Sequence, residues 1–400
     1  MYTDESSATT GDPLELVFGQ RCADDPHSVY AEVLEKCPVS RGAGMFGGYS
    51  VTVSRYEDVL WALKHPEVFS SKNVVNVGGD VPMLPLSVDP PDHAKYRRLL
   101  DPQFSPKRMA ELEPEARQLV NEIIDRFANA GSCEFHEEFA TPLPSTIFLA
   151  LMGLPQEDLP SFLEWRDDTI RPQGATHEET EAKRMAAGHA IEAYFDKMIE
   201  VKRRNPDDRL LSTIVHGEVD GRPLTHDELV GVTHLLLLGG LDTVTATLDC
   251  MIVYLAQHPD RRRAIVENPS LIPGAIEELL RHQTPVMMLP RIIAQDAEIG
   301  GVPLKAGDGA TLLIGAANCD ETEFDEAAAV HFDREANRHL AFGGGPHRCL
   351  GSHLARLELR VALEEFHTRI PEYALATDAP ISFSPGIRQA ENLHLSFPGR

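Results

Sequence analysis

The chain has 400 residues, 42% of them hydrophobic, with 62 acidic against 37 basic side chains and a formal charge of −25. So acidic a chain argues against nucleic acid and anionic membranes as partners, and no apolar run reaches the ~20 residues that span a bilayer. The six cysteines, Cys22, Cys37, Cys133, Cys250, Cys319 and Cys349, lack CxxC spacing, which fits reduced thiols rather than a disulfide framework. The segment from Met1 to Ser7 is polar and has none of the basic and apolar regions of a signal peptide. A soluble cytoplasmic protein is expected, and the absence of repeats, low-complexity tracts and linkers predicts a single domain over 1–400.

In chain order, Pro26–Lys36 is predicted as a helix with proline in its first turn. Tyr49–Val53 alternates polar and apolar residues after Gly47-Gly48 and predicts a strand. Tyr56–Lys64 returns to helix, with Val59, Leu60 and Leu63 on one face. Residues 72–91 form a long segment rich in Gly, Pro, Asn and Val, of the kind that serves as a lid or binding loop. A loop packed on its own core is the alternative for its apolar members Val74, Val75, Val77, Met83, Leu84 and Leu86. A helix is expected from Asp89-Pro-Pro-Asp onward, where prolines and acids suit a first turn. On it His93 and Arg97, four apart, share a face. Helices follow over 111–128, 145–152, 159–165 and 181–204, with a Pro/Gly-containing break over 171–178.

Thr225-His-Asp-Glu228 matches a capping box. Beyond it apolar residues run nearly all round the helix, so burial on every side and one continuous helix to about His258 are predicted. Gly239 and Gly240 lie in its middle, each costing roughly 1 kcal/mol against alanine, so packing or a ligand must justify them. Asp242 and Thr243 interrupt the apolar span, and a buried carboxylate needs a partner or a task. A glycine packing pair and a threonine bonding back to its own helix remain the plain alternative.

Glu278 and Arg281 are three apart on the next helix and can pair. Val286, Met287, Met288 and Leu289 follow as an apolar run closed by Arg291. Residues 298–314, with Gly300-Gly301 and Gly307-Asp-Gly309, predict short strands and turns, and 384–396 a closing strand pair whose tip lies near Ile387. Phe342-Gly-Gly-Gly-Pro-His-Arg-Cys-Leu-Gly351 places Cys349 on a glycine loop just ahead of a helix, whose N-terminus favours a thiolate. Three readings are open there: a buried inert thiol, a zinc site using His347, Cys349 and His353 that lacks a fourth ligand nearby, or thiolate ligation of haem.

Phe342, Gly345, His347, Cys349 and Gly351 fill every position of Phe-x-x-Gly-x-His-x-Cys-x-Gly, which resembles the haem-binding signature of the cytochrome P-450 superfamily. Gly239-Gly-x-Asp-Thr243 is similar to the oxygen-activation motif of that family, and Glu278-x-x-Arg281 to its structural pair. The resemblance runs from Tyr49 to the C-terminus. It implies a mainly α fold with a small β region, a long central helix over a haem, and a cysteine-ligand loop. It implies haem b with Cys349 as axial thiolate, Asp242 and Thr243 as catalytic residues, and His93, Arg97, Arg291 and His347 on the propionates. Gly239, Phe342 and Gly351 would then face the cofactor, and Arg334 would be the third partner of Glu278 and Arg281. Leu84, Leu86, Leu238, Val286, Met287, Met288 and Ile387 are the expected walls of an apolar substrate pocket.

The reaction implied is insertion of one oxygen atom from O2 into an apolar small molecule. Electrons would come from a ferredoxin, its reductase and NAD(P)H. A peroxygenase or a ligand-binding haem protein is the alternative. Arg348, Arg356, Arg360, Lys95 and Arg98 are expected to form a basic docking patch in this acidic chain. The resemblance further implies a bacterial, soluble member, and a monomer is expected.

Overall fold

The computed structural model describes residues 19–43, 49–72, 74, 81–376 and 381–399. Gly47-Gly48, Val75 and Val77 lie outside them. Helix makes up 56% of the chain, with a small β region. The predicted elements Pro26–Lys36, Tyr49–Val53 and Tyr56–Lys64 form with those bounds. The helix expected from Asp89 instead runs Asp92–Leu100, with Pro91 at its N-cap. The helices expected over 111–128 and 145–152 reach further back, to Pro106–Asp125 and Pro142–Met152. Those expected over 159–165 and 181–204 are Leu159–Ile170 and His177–Arg204. Pro106 and Pro142 occupy the first turns of their helices, where their missing N–H costs nothing.

One mixed sheet of five strands supports the site. Its order is Val39–Ala43, Tyr49–Val53, Gly309–Leu312, Leu289–Ile293 and Phe69–Ser70. Arg291 pairs with Ala310 in this sheet, which fixes where its side chain starts. The closing segment is not one hairpin. Ser382–Phe383 pairs with Ala390–Glu391, while His394–Ser396 joins Ala374–Leu375 and Ser132–Glu134.

The capping box forms as predicted: the Thr225 hydroxyl accepts from the Glu228 N–H, and Glu228 accepts from the Thr225 N–H. The helix it starts is not continuous. His226–Leu241 and Thr243–Gln257 meet at Asp242, whose φ of −106° departs from helical geometry. This stretch is long and apolar enough to cross a membrane by composition, yet most of it is buried in the core, packed on Pro142–Met152 and His177–Arg204. It is a core helix of the globular fold.

Candidate active site

The central helix shows an open face where its composition predicts none. Gly239 is exposed and Leu235, Leu236, Leu238 and Thr243 are half-buried, whereas Leu237, Leu241 and Val244 are buried. The two glycines have separate causes. A Cβ on Gly240 would come within 2.9 Å of the Phe148 ring, while one on Gly239 would meet nothing within 4 Å. The Thr243 hydroxyl donates to the Gly239 carbonyl at 3.1 Å. Asp242 turns away from this face. Both its oxygens accept from Arg171 Nη2, at 2.6 and 2.8 Å, and Arg166 Nε lies 4.0 Å away.

The cysteine loop is fixed by its backbone. The Cys349 N–H donates to the Phe342 carbonyl at 2.8 Å. Gly345 has φ +62° and a Cβ there would lie 2.1 Å from the Leu63 carbonyl oxygen, so only glycine fits. A short turn, Gly345–His347, leads to Cys349, and the helix Ser352–Arg369 follows. Cys349 is exposed to solvent yet crowded by surrounding protein. That crowding raises its pKa, against the Gly351 N–H and Arg97, Arg348 and Arg356, which lower it. The expected net depression is therefore not found in the protein alone; burial outweighs the amide and the arginines. Among the described residues no cluster of metal ligands forms, which leaves the zinc reading without support.

A cationic corner lies beside the loop. The His93 and His347 rings are 4.2 Å apart, and Arg97 Nη1 donates to the Arg348 carbonyl at 2.7 Å, joining the helix Asp92–Leu100 to the loop. Burial first, and Arg97 after it, hold His93 at about 4; burial, His93 and Arg291 hold His347 at about 3. Burial likewise lowers Arg291 to about 10. His347 Nε2 is buried with no hydrogen-bond partner among the described residues. Such a group is costly unless an acceptor or donor arrives from a ligand.

These features fit haem. Gly239 and Gly351 leave room on which a side chain would intrude, Cys349 supplies a sulfur, and Arg97, Arg291, His93 and His347 suit two carboxylates. The Phe342 ring lies under the Arg356 guanidinium at 4.4 Å.

Glu278 and Arg281 are both fully buried and joined by two bonds of 2.9 and 2.8 Å. Arg334 Nε reaches both Glu278 oxygens, as do the Asn337 amide and the His331 N–H between them. Arg281 also donates to the carbonyls of Asn318, Ala327 and Ala329. The cluster thus ties the helix Ile272–Gln283 to the segment leading into the cysteine loop.

The cytochrome P450 family model matches residues 16–367. The chain belongs to the cytochrome P450 family. It is 35% identical over 333 residues to a steroid C26-monooxygenase of Mycolicibacterium smegmatis, covering 82% of each chain. Among solved structures it resembles the cytochrome P450 PksS of the Bacillus subtilis bacillaene polyketide synthase, at TM-score 0.88 and 30% identity over 97% of this chain and 100% of that one. CYP109E1 from Bacillus megaterium in complex with testosterone gives TM-score 0.86 and 28% identity over 95% and 99%. The P450 is thus a monooxygenase whose cofactor is haem held by a cysteine thiolate.

The expected pocket residues do not all meet. Val286 and Ile387 form a β-bridge, and both are half-buried, as are Leu86 and Leu238. Met287 is 0% exposed and points the other way, into a cluster with Val29, Tyr30 and Leu313; Met288 leans on the same cluster. Leu84 belongs to the main core. The basic patch is largely neutralised: Arg356 pairs with Glu277, Arg360 with Glu113, Lys95 with Asp92 and Asp220, and Arg98 with Asp220.

Sequence reading missed Arg171, Gln389, His136 and Asp249, all near Asp242, and Glu358 on the helix after Cys349. Asp249 was detectable, being a second acid seven residues after Asp242 on the same apolar helix. Glu358 is 2% exposed, and burial pushes its carboxyl well above the usual carboxylate range.

Proposed function

We propose that this P450 oxidises an elongated, apolar, steroid-class substrate, with Cys349 as the iron ligand and a ferredoxin as electron donor. The observation that carries the reading is the open stripe Leu235–Gly239–Thr243 on an otherwise buried helix, in a chain with Cys349 on an exposed glycine loop. Haem, when bound through a thiolate, supplies reductive activation of dioxygen.

The chain's own residues do the rest. Gly239 leaves space beside the helix, and Thr243 Oγ1 stands on the open face, held by the Gly239 carbonyl with its lone pairs free to accept. Monooxygenation consumes two protons, and an apolar pocket cannot supply them without a relay. Asp242 is the ionisable group next to Thr243 and is the proposed source, once freed from Arg171. Arg97, Arg291, His93 and His347 would hold the two haem carboxylates and so orient the cofactor. Leu86, Leu238, Val286 and Ile387 exclude water and offer only apolar contact, which suits a substrate with little polarity.

The steroid class is supported by the C26-monooxygenase relative and by the testosterone complex. Arg348, exposed and next to Cys349, supports docking of an acidic donor there. A cytoplasmic setting accords with the reduced cysteines.

The test is optical. The reduced, carbon-monoxide-treated protein should show the thiolate-ligated haem band, lost in Cys349→Ser. Testosterone and cholesterol are then titrated for a low-to-high spin shift. A normal thiolate band with no shift by either sterol would sink the substrate class alone; a histidine-type band would sink the Cys349 assignment.

A further inference from the structure

Asp242 is 0% exposed, and one guanidinium nitrogen bonds both its oxygens. Both Asp242 oxygens are thereby engaged as acceptors, so Asp242 can hand a proton to a neighbour only after Arg171 moves. What keeps Arg171 in place is therefore a question about catalysis. Arg171 Nη2 also donates to Gln389 Oε1. The Gln389 Nε2 in turn donates to His136 Nε2 at 2.8 Å. The other ring nitrogen of His136, Nδ1, meets Asp249 Oδ2 at 2.7 Å, and the Thr141 hydroxyl lies 3.2 Å from Nε2.

This chain fixes every role. Arg171 can only donate, and in a neutral His136 ring a proton on Nδ1 faces the Asp249 carboxylate and leaves Nε2 as an acceptor. The Gln389 amide must then present its N–H2 to His136 and its oxygen to Arg171. Reversed, it would set two donors against Arg171. Gln389 is itself buried, and its carbonyl accepts from the Ser384 N–H at 2.9 Å, which anchors the backbone.

We propose that Gln389 is a positioning residue for Asp242: oriented by the His136–Asp249 pair, its amide clamps Arg171 on the Asp242 carboxylate. The inference rests on the reading of Asp242 as the proton source. Gln389 also has a route to the substrate pocket. Ile387, two residues earlier, bridges Val286 at the pocket wall, so displacement of this short segment reaches Arg171 through one side chain.

Two variants test it in the haem-loaded enzyme. Gln389→Leu removes both amide bonds at similar size. Gln389→Asn keeps the amide but, one methylene shorter, cannot span Arg171 and His136, and it serves if the leucine variant fails to fold. Crystal structures of the variants should show Arg171 displaced from Asp242. The solvent isotope effect on NADH-driven peroxide release, measured without added substrate and with a surrogate ferredoxin and reductase, should fall toward unity. Arg171 still bonding both Asp242 oxygens would overturn the inference. Arg171 displaced with an unchanged isotope effect would uphold the positioning role and count against Asp242 as proton source, so the two readings fail separately.

Discussion

His234 offers a direct measure of how much stability this fold gives up to buried polarity. Its ring lies in the central helix, is 0% exposed, and neither nitrogen has a hydrogen-bond partner among the described residues. An unpaired buried polar group costs about 1–3 kcal/mol. His234→Leu, close in volume, should therefore stabilise the protein by about 1–3 kcal/mol at pH 7.5. Acid should widen the gap. Burial alone lowers the His234 pKa from 6.5 to about 4. A base whose folded pKa is depressed stays neutral in the fold while the unfolded chain takes up a proton below 6.5. Stability is then lost as pH falls from 6.5 toward 4, and at pH 5 this linkage amounts to about 2 kcal/mol. The variant lacks that term. Urea unfolding midpoints of both proteins at pH 7.5 and pH 5 provide the comparison. A variant no more stable than the parent, or a difference that does not grow at pH 5, would refute the reasoning.

Glu278→Gln leaves the guanidinium groups of Arg281 and Arg334 without their shared counter-charge and should cost about 3–5 kcal/mol, read as a lower urea midpoint with loss of bound haem. Thr243→Ala removes the hydroxyl on the open face without touching the Asp242–Arg171 pair. More of the NADH consumed should appear as peroxide, and full coupling in the variant would count against the relay. Arg348→Glu reverses the cation beside Cys349 that has no carboxylate partner among the described ion pairs. Ferredoxin affinity should fall roughly tenfold, about 1.4 kcal/mol, at low salt, with the difference shrinking by ~0.15 M salt as screening sets in.

Local rules carried the sequence reading where one residue type dictates one geometry. The loop at Gly345 and the capping box at Thr225 are such cases: a positive φ excludes side chains, and a threonine with a glutamate three residues on satisfies a known pair of N–H groups. The Glu278–Arg281 pair was visible from its spacing, but its consequence was not. Whether such a pair is a weak surface contact or a buried anchor depends on burial, which here comes from Arg334, Asn337 and three distant carbonyls. Met287 failed for a related reason. An apolar run of four states that the segment is buried but does not state which neighbours bury each face. The basic patch failed because Glu113 and Asp220, remote in sequence, return to the same surface.

The break at Asp242 follows from two demands placed on adjacent residues. In an unbroken helix of 3.6 residues per turn, neighbours point about 100° apart. Thr243 is on the open face, four residues after Gly239, and its hydroxyl bonds back to that glycine, a bond that bends helices. Asp242 must instead reach Arg171, and Thr245 binds the Ala140 carbonyl on another side. Gly239 and Gly240 lower the cost of distortion just before this point. The polar seam from Asp242 to Asp249 therefore lies off the open face of Gly239 and Thr243, although Asp242 and Thr243 are adjacent in sequence. A carboxylate placed there is shielded from the apolar pocket yet adjacent to Thr243. Control over it then falls to Arg171 and Gln389, which come from two other segments of the chain.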